Sequence, residues 1–303
     1  MFEHKLIDAM SQIEFELQSE KFLSMLDDSN IEYIALFPRA KPYVETGHHG
    51  VNLMNECKHR VIPGSVKRFD QRDDLTDHYV QQILDCVKID NVKFIGELML
   101  THADKQAGEV NDTFERYVNS SSPNVLRLLD EIAKNPIPVM FHWEVYHWDR
   151  DWPNIQIMLD RYPMLNFIWP HCGFATVEQI DLVLSKYPNV YPTLSKRELI
   201  RTKTLWISHL GDDIGGYNIV HMPFLEKVDG ACIDMDGVIK PEWVELLKKY
   251  QDRFMWATDA HKRLRWKSYK KIVRIWRDIL GQLDVELAMK LGYTNAAKIY
   301  NLL

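Results

Sequence analysis

The residues of this chain whose types and spacing suit acid–base or metal chemistry stand at the ends of apolar, β-prone runs. Pro138-Val139-Met140-Phe141 runs into His142, Asn166-Phe167-Ile168-Trp169-Pro170 into His171, and Phe254-Met255-Trp256-Ala257-Thr258 into Asp259. A fourth run, Val92-Lys93-Phe94-Ile95-Gly96, meets Glu97. Imidazole gains and loses a proton near neutral pH, and a positioned carboxylate serves as a base or a metal ligand. In a barrel of parallel strands the carboxyl ends meet at one face, where active sites sit. Four groups spread along the chain can therefore converge.

The elements that must position them alternate strand and helix. Strand candidates are Leu6–Ala9, Tyr33–Phe37, Ser65–Phe69, Phe94–Leu98, Val139–His142, Phe167–Pro170, Val190–Thr193 and Phe254–Thr258. Several are continuous apolar runs, as expected where both faces of a strand are buried. Helix starts are marked by Trp152-Pro153, by Thr176 with Gln179 as a capping box, and by Pro241. Arg161-Tyr162-Pro163, Lys186-Tyr187-Pro188 and Lys249-Tyr250-Gln251 form a weak internal repeat. Each puts a cation and an aromatic at a helix end before a strand. This pattern predicts a (β/α)8 TIM-type barrel as a single domain over residues 1–303, with an open doubly wound sheet as the alternative. No Gly-rich phosphate loop follows an early strand, which weakens that alternative. Long connections follow the second strand (38–64) and the seventh (196–250), and such loops are often functional.

With 46% hydrophobic and 26% charged residues, the 303-residue chain has a globular composition, and its net charge of -6 argues against a nucleic-acid partner. No run approaches the roughly 18 apolar residues of a membrane helix. Met1-Phe2-Glu3-His4-Lys5 lacks the pattern of a signal peptide, so a cytoplasmic location is expected. Cys57, Cys86, Cys172 and Cys232 show no C-x-x-C spacing and read as free buried thiols.

Taken together, the segments resemble the amidohydrolase superfamily, in its amidohydrolase-2 (amidohydrolase-related) branch. Phe94–Glu97 resembles the family's fourth-strand segment, Pro138–His142 the fifth with its ligand histidine, and Phe167–Gly173 the sixth-strand histidine–glycine segment. Arg253–Asp259 resembles the eighth strand with its catalytic aspartate, and Asn295–Tyr300 the closing helix. The resemblance implies a hydrolase with Asp259 as general base, His171 polarising the scissile carbonyl, and His142 ligating a metal or donating a hydrogen bond. It also implies a homo-oligomer.

The departure is at the start. The family begins with an aspartate, a small residue and His-x-His, whereas this chain has Asp8-Ala9-Met10-Ser11-Gln12. Met10 and Gln12 stand where the family has two ligand histidines. A thioether suits Cu(I) better than Zn(II), and glutamine offers one neutral oxygen. His142, Asp259, Glu97 and His171 remain as a weak zinc set, or as a metal-free site of imidazoles and carboxylates.

Around this core, Gln12, Met10, Arg39, Trp143, Glu144 and His147 are candidates to contact a substrate. Each has a plainer alternative: Met10 as core, Arg39 in a surface ion pair, the aromatic segment after the fifth strand as an anchor for the next helix. His261 reads as a neighbour of the site or as solvated. The function expected is hydrolysis of a small-molecule lactone, ester or amide. The alternatives are a catalytically inactive ligand- or partner-binding relative, and a decarboxylase of the same superfamily.

Overall fold

The structure, a computed structural model, describes residues 1–39, 47–67, 73–89, 92–102, 115–201, 206–208 and 231–303. In chain order its elements are β1 (Leu6–Ile13), α1 (Ser19–Asp28), β2 (Ile31–Pro38), α2 (Gly47–Glu56), β3 (Val61–Pro63), α3 (Asp77–Ile89), β4 (Ile95–His102), β5 (Arg116–Tyr117), α4 (Pro123–Ile132), β6 (Val139–Trp143) and α5 (Trp148–Arg161). They continue as β7 (Phe167–Trp169), α6 (Val177–Lys186), β8 (Val190–Pro192), β9 (Leu199–Arg201), β10 (Trp206–Ser208), α7 (Pro241–Lys249), α8 (Arg263–Lys267), α9 (Tyr269–Leu280), α10 (Val285–Met289) and α11 (Asn295–Ile299).

β1, β2 and β3 pair in parallel, as do β4, β6, β7 and β8, with β5 antiparallel on β4. Backbone hydrogen bonds join the two sheets into a ring. At one seam Lys93 N–H donates to Pro63 O (2.7 Å) and Ser65 N–H to Phe94 O (3.1 Å). At the other, residues 254–259 lie between β8 and β1. There Met255 N–H donates to Pro192 O (3.0 Å), Ala9 N–H to Trp256 O (3.2 Å) and Asp259 N–H to Met10 O (2.9 Å). The strand positions therefore follow chain order around a (β/α)8 barrel.

Several boundaries differ from the sequence expectation. The third strand is Val61–Pro63 rather than Ser65–Phe69; the segment beyond it keeps only single bridges, at Gly64 and Lys67, and Phe69 lies outside the described residues. The connection 38–64 is consequently no long loop, because it holds α2 and β3. The eighth position is extended but makes only one bridge, Thr193 to Met255. Helix α5 starts at Trp148, ahead of Pro153, where Trp148 and Trp152 stack 4.8 Å apart. In the connection 196–250 the described parts are the segment up to Arg201, β10 and the stretch from Ala231, with β9 and β10 pairing antiparallel. His209, Gly211–Gly216 and His221 lie outside the described residues. Cys86 is only partly buried, while all four thiols are free.

Other signals hold. Thr176 and Gln179 cap α6 reciprocally, and Pro241 opens α7. The repeat places Arg161 over the Tyr162 ring (5.6 Å), Lys186 over Tyr187 (5.0 Å) and Lys249 over Tyr250 (5.2 Å). Each tyrosine is the C-cap of its helix, so one device ends three helices.

Inside the barrel, Ile7, Ala9, Met10, Phe37, Phe94, Met140, Ile168, Met255 and Ala257 form a dry cluster. Helix α11 packs Ala296 and Ala297 against it, and Tyr300 donates to Ala9 O (2.7 Å). No helix among the described residues is long and apolar enough to cross a membrane.

Asp8 fastens the last seam. Its buried carboxylate accepts from Thr258 Oγ1 (2.6 Å), Thr258 N–H (2.9 Å), Ser11 Oγ (2.9 Å) and Tyr269 OH (3.0 Å). Burial pushes its pKa up to about 6, against the pull of the Thr258 and Ser11 hydrogen bonds. A folded pKa above the unfolded value means that the folded state holds this proton more tightly, so the contribution of Asp8 to stability declines between about pH 4 and about pH 6. Asp8→Ala should therefore destabilise the fold by about 2–4 kcal/mol through unpaired buried donors. That cost should be larger at about pH 4 than at about pH 7, by up to about 2–3 kcal/mol. Urea unfolding of both proteins at the two pH values checks it; a cost that grows with pH would contradict the assignment.

Candidate active site

Residues on or just past β1, β3, β4, β6, β7, β8 and the eighth strand position form one buried polar cluster. Glu97 on β4 is fully buried, with Lys67 Nζ paired to its Oε2 and His142 Nδ1 bonded to its Oε1. His142, on β6, reaches Glu144 Oε1 with Nε2 at 2.9 Å. Its ring lies edge-on to His171, with centroids 5.3 Å apart. His171 Nε2 is 3.8 Å from Asp259 Oδ2. Asp259 in turn receives Lys196 Nζ at 2.6 Å and Gln12 Nε2 at 2.7 Å, and Gln12 Nε2 also lies 3.3 Å from Glu97 Oε2. The Gln12 amide thus bridges the two acidic halves, while its Oε1 is buried with no hydrogen-bond partner among the described residues.

Surrounding charges set the protonation states. Burial alone would raise the Asp259 pKa, but the Lys196 ammonium reverses this and holds the carboxyl well below its usual range. Burial, reinforced by Lys196, keeps His171 well below the ordinary imidazole value, so it is neutral at pH 7. Burial works against the His142 imidazolium, yet the flanking Glu97 and Glu144 raise its pKa above the usual value. Lys67 falls to about 8 through burial, against the attraction of Glu97, and Glu97 is held low by Lys67 and His142.

Hydroxyl and carbonyl oxygens of the segment after β8 surround His171. Its backbone N–H donates to Thr193 Oγ1 (3.2 Å), Thr193 Oγ1 and Ser195 Oγ are 2.9 Å apart, and Ser195 Oγ is 2.8 Å from His171 Nδ1. Ser195 O also lies 3.2 Å from Nδ1; a carbonyl oxygen only accepts, so that contact calls for Nδ1–H, whereas the hydroxyl chain serves either tautomer.

The backbone at the site is as unusual as its charge. His171, Cys172, Gly173 and Phe174 all have positive φ, as do Lys196 and Asp259. A Cβ on Gly173 would meet Trp143 O at 2.4 Å and the Trp169 ring at 2.5 Å, so glycine is required there. Arg197, fully buried, clamps this left-handed turn by donating to His171 O (2.7 Å), Cys172 O (3.1 Å) and Ala175 O (3.0 Å). Arg265 does the same at the other side, donating to Thr258 O (2.9 Å) and Asp259 O (3.1 Å) and pairing with Glu198 (2.9 Å). Non-glycine residues in such conformations persist only where neighbours over-determine them, which is common at functional sites.

The sequence candidates divide on this geometry. Gln12, Glu97, His142, Glu144, His171 and Asp259 are brought together. His261 joins them, with Nδ1 bonded to Asp259 O at 2.7 Å. Arg39 sits partly buried at the end of β2, 3.4 Å from Glu14, and its charge reaches Lys67 and His261. Met10 is fully buried in the barrel's apolar interior and forms floor rather than a substrate contact. Trp143 alternates away from His142 along β6, into a stack with Trp148, Trp152 and Trp169. It is therefore a support of the helix layer and does not wall the site. His147 packs on the Tyr146 ring (4.7 Å). Sequence reasoning missed Lys67 and Ser195 and left Lys196 in an undifferentiated loop. All three stand three or four residues past β3 or β8, and the expected third strand, Ser65–Phe69, put Lys67 inside a strand instead of beyond its end.

Glu97, His142 and His171 present donor atoms within 4.8 Å of one another, where the family resemblance expects a metal. The set does not fit one. Both Glu97 oxygens are engaged, by Lys67 and by His142. β1 supplies a thioether buried in the core and an amide that turns its nitrogen, not its oxygen, to the carboxylates. Two ammonium groups already supply positive charge to Glu97 and Asp259.

No curated protein matches the sequence. Among solved structures, a probable 2-pyrone-4,6-dicarboxylic acid hydrolase from Acinetobacter baumannii with citric acid bound superposes with a TM-score of 0.58 at 12% identity, covering 98% of this chain and 99% of that one. A Pseudomonas putida protein with the same provisional designation gives 0.58 at 14%, covering 98% and 97%. Dihydroorotase from Saccharomyces cerevisiae, in complex with 5-fluoroorotic acid, gives 0.55 at 10%, covering 97% and 85%. At these identities the likeness establishes the fold. The family model for amidohydrolases matches residues 99–302, which begin within β4 just after Glu97 and take in β6, the His171 turn and Asp259. The chain thus belongs to the amidohydrolase family and is a hydrolase of the amidohydrolase superfamily.

Proposed function

We propose that this chain hydrolyses a small-molecule lactone or ester that carries a carboxylate, with Asp259 as general base and no metal at Asp259. The observation that carries the reading is the convergence of Asp259, neutral His171 and Gln12 at the mouth, with Lys196 on the carboxylate. Polarisation of the carbonyl by His171 requires the Nε2–H tautomer, in which Ser195 Oγ–H donates to Nδ1 and the neutral imidazole donates to a carbonyl oxygen and to the oxyanion that develops there. Gln12 Oε1, without a partner among the described residues, is an acceptor that can orient the attacking water.

Lys196 makes Asp259 a weak base while the two remain paired. A substrate carboxylate that draws the ammonium away raises the basicity of Asp259 at the moment of need. Lys67, Lys196 and Arg39 give the mouth the cations for such a substrate. The first two relatives above are named for a dicarboxylic acid of a 2-pyrone, a cyclic ester, and this supports the same class here. Without a metal, carbonyls with good leaving groups are favoured over ordinary amides.

A panel of carboxylated lactones and esters tests the activity. Against the best substrate, Asp259→Asn should lower kcat by about 10²–10⁴-fold, since it keeps shape and removes the base. His171→Asn should also lower kcat, while Met10→Leu should stay near wild type, its cost in stability below about 1.5 kcal/mol. Circular dichroism confirms folding of each. A folded Asp259→Asn protein with wild-type turnover removes the mechanism.

The pH dependence separates Lys196 from the rest. In the wild type Asp259 stays ionised below the usual carboxylate range, so its protonation imposes no acid limb near neutrality. Lys196→Met raises the Asp259 pKa, and kcat/KM should then fall as pH drops through the raised value. A profile identical to wild type would show that Lys196 does not control Asp259.

A further inference from the structure

We propose that His102, His142 and Glu144 form a divalent-cation site of the zinc class, on the β4–β6 side of the barrel mouth, with Glu97 orienting His142. This site is distinct from the position that the Lys67–Glu97 pair closes, and it does not depend on the hydrolytic reading.

The donor atoms of the three residues lie within 4.8 Å of one another. His102 is the last residue of β4, His142 lies on the neighbouring β6, and Glu144 follows Trp143 at its end. β4 and β6 are paired in parallel, with Met99 opposite His142 and Thr101 opposite Trp143, so adjacent strand ends hold the ligands. The His102 and His142 rings stack with centroids 5.2 Å apart at 28°, which sets two imidazoles side by side. His142 Nε2 and Glu144 Oε1 are 2.9 Å apart. Zinc bonds of about 2.0–2.1 Å in a tetrahedron require neighbouring ligand atoms about 3.3 Å apart. The His142–Glu144 pair would open by a few tenths of an ångström on binding, and no donor separation need close by more than about 1.5 Å.

His142 is prepared for this in the manner of a ligand histidine. Its Nδ1 is bonded to Glu97, so Nε2 faces Glu144. Carboxylate–histidine–metal triads fix ring orientation and raise ligand basicity in the same way. The Lys67 ammonium lies on Glu97, and Glu144 is the anion that the site itself would present to the ion. Two imidazoles and one carboxylate are a nitrogen and oxygen set suited to zinc or cobalt, with a fourth position left for water or another small ligand. Binding displaces the proton that His142 Nε2 shares with Glu144 and releases it to solvent.

Cobalt(II) titrated into the chelator-treated full-length protein, read by visible absorption and by calorimetry, is the test. One ion per chain should bind with the absorption of a four- or five-coordinate site. His102→Ala and Glu144→Gln should each weaken it by at least about tenfold, and Glu97→Gln by about 10–100-fold through the lost orientation of His142. His171→Ala should leave affinity unchanged, because His171 belongs only to the closed inner position. Glu144→Gln is isosteric and guards against a folding artefact in His102→Ala. Absence of binding by the wild type would overturn the proposal. So would loss of binding in His171→Ala with retention in His102→Ala, since the ion would then occupy the inner position.

Discussion

Burying ionised groups in the barrel mouth is the constraint on which the rest of the site depends. Asp259 and Glu97 are at most 1% exposed, and each carboxylate must be answered by charge and hydrogen bonds. The effective cost of taking one such ion out of water is several kcal/mol, and removing one partner of a buried pair commonly costs about 3–5 kcal/mol. Lys196 and Gln12 answer Asp259, while Lys67 and His142 answer Glu97. The amide of Gln12 touches both carboxylates, so the two halves form one network rather than two pairs. Such a network fixes the rotamers of its members, which is what a catalytic constellation needs.

The backbone is shaped to the same end. Asp259, Lys196 and the His171–Phe174 turn adopt left-handed conformations that L-residues avoid. Arg197 and Arg265, both fully buried, spend their donors on main-chain carbonyls of those segments. Asp8 fastens β1 to Thr258 one residue before Asp259. The site is thereby carried by the closure of the barrel itself, not by a peripheral loop.

Much of this was legible in the sequence, and the rest was not for identifiable reasons. Continuous apolar runs marked β4, β6 and β7, and a residue at the end of such a run is placed at the mouth by the fold alone. Capping and proline signals placed α6 and α7. The third strand was missed because Val61–Pro63 is too short to stand out and ends in a proline. Trp143 and Met10 each kept two readings in the sequence, because side-chain direction along a strand decides between site, floor and helix layer, and nearness in sequence to His142 or Gln12 says nothing about it. Lys67 and Lys196 were overlooked because a lone lysine is ordinarily solvated; only the ring closure shows that these two are buried among carboxylates.

The protein's own ammonium and amide groups balance the charge of Asp259. Carboxyl 13C NMR of Asp259 in chelator-treated protein, followed from about pH 3 to about pH 8, tests this most directly. The account predicts that the carboxyl remains ionised to below the ordinary carboxylate range, because Lys196 stays paired with it. A midpoint at or above the ordinary value of about 3.9 would contradict it. The burial of Asp259 would then be uncompensated by the protein, and its charge would need another source of balance.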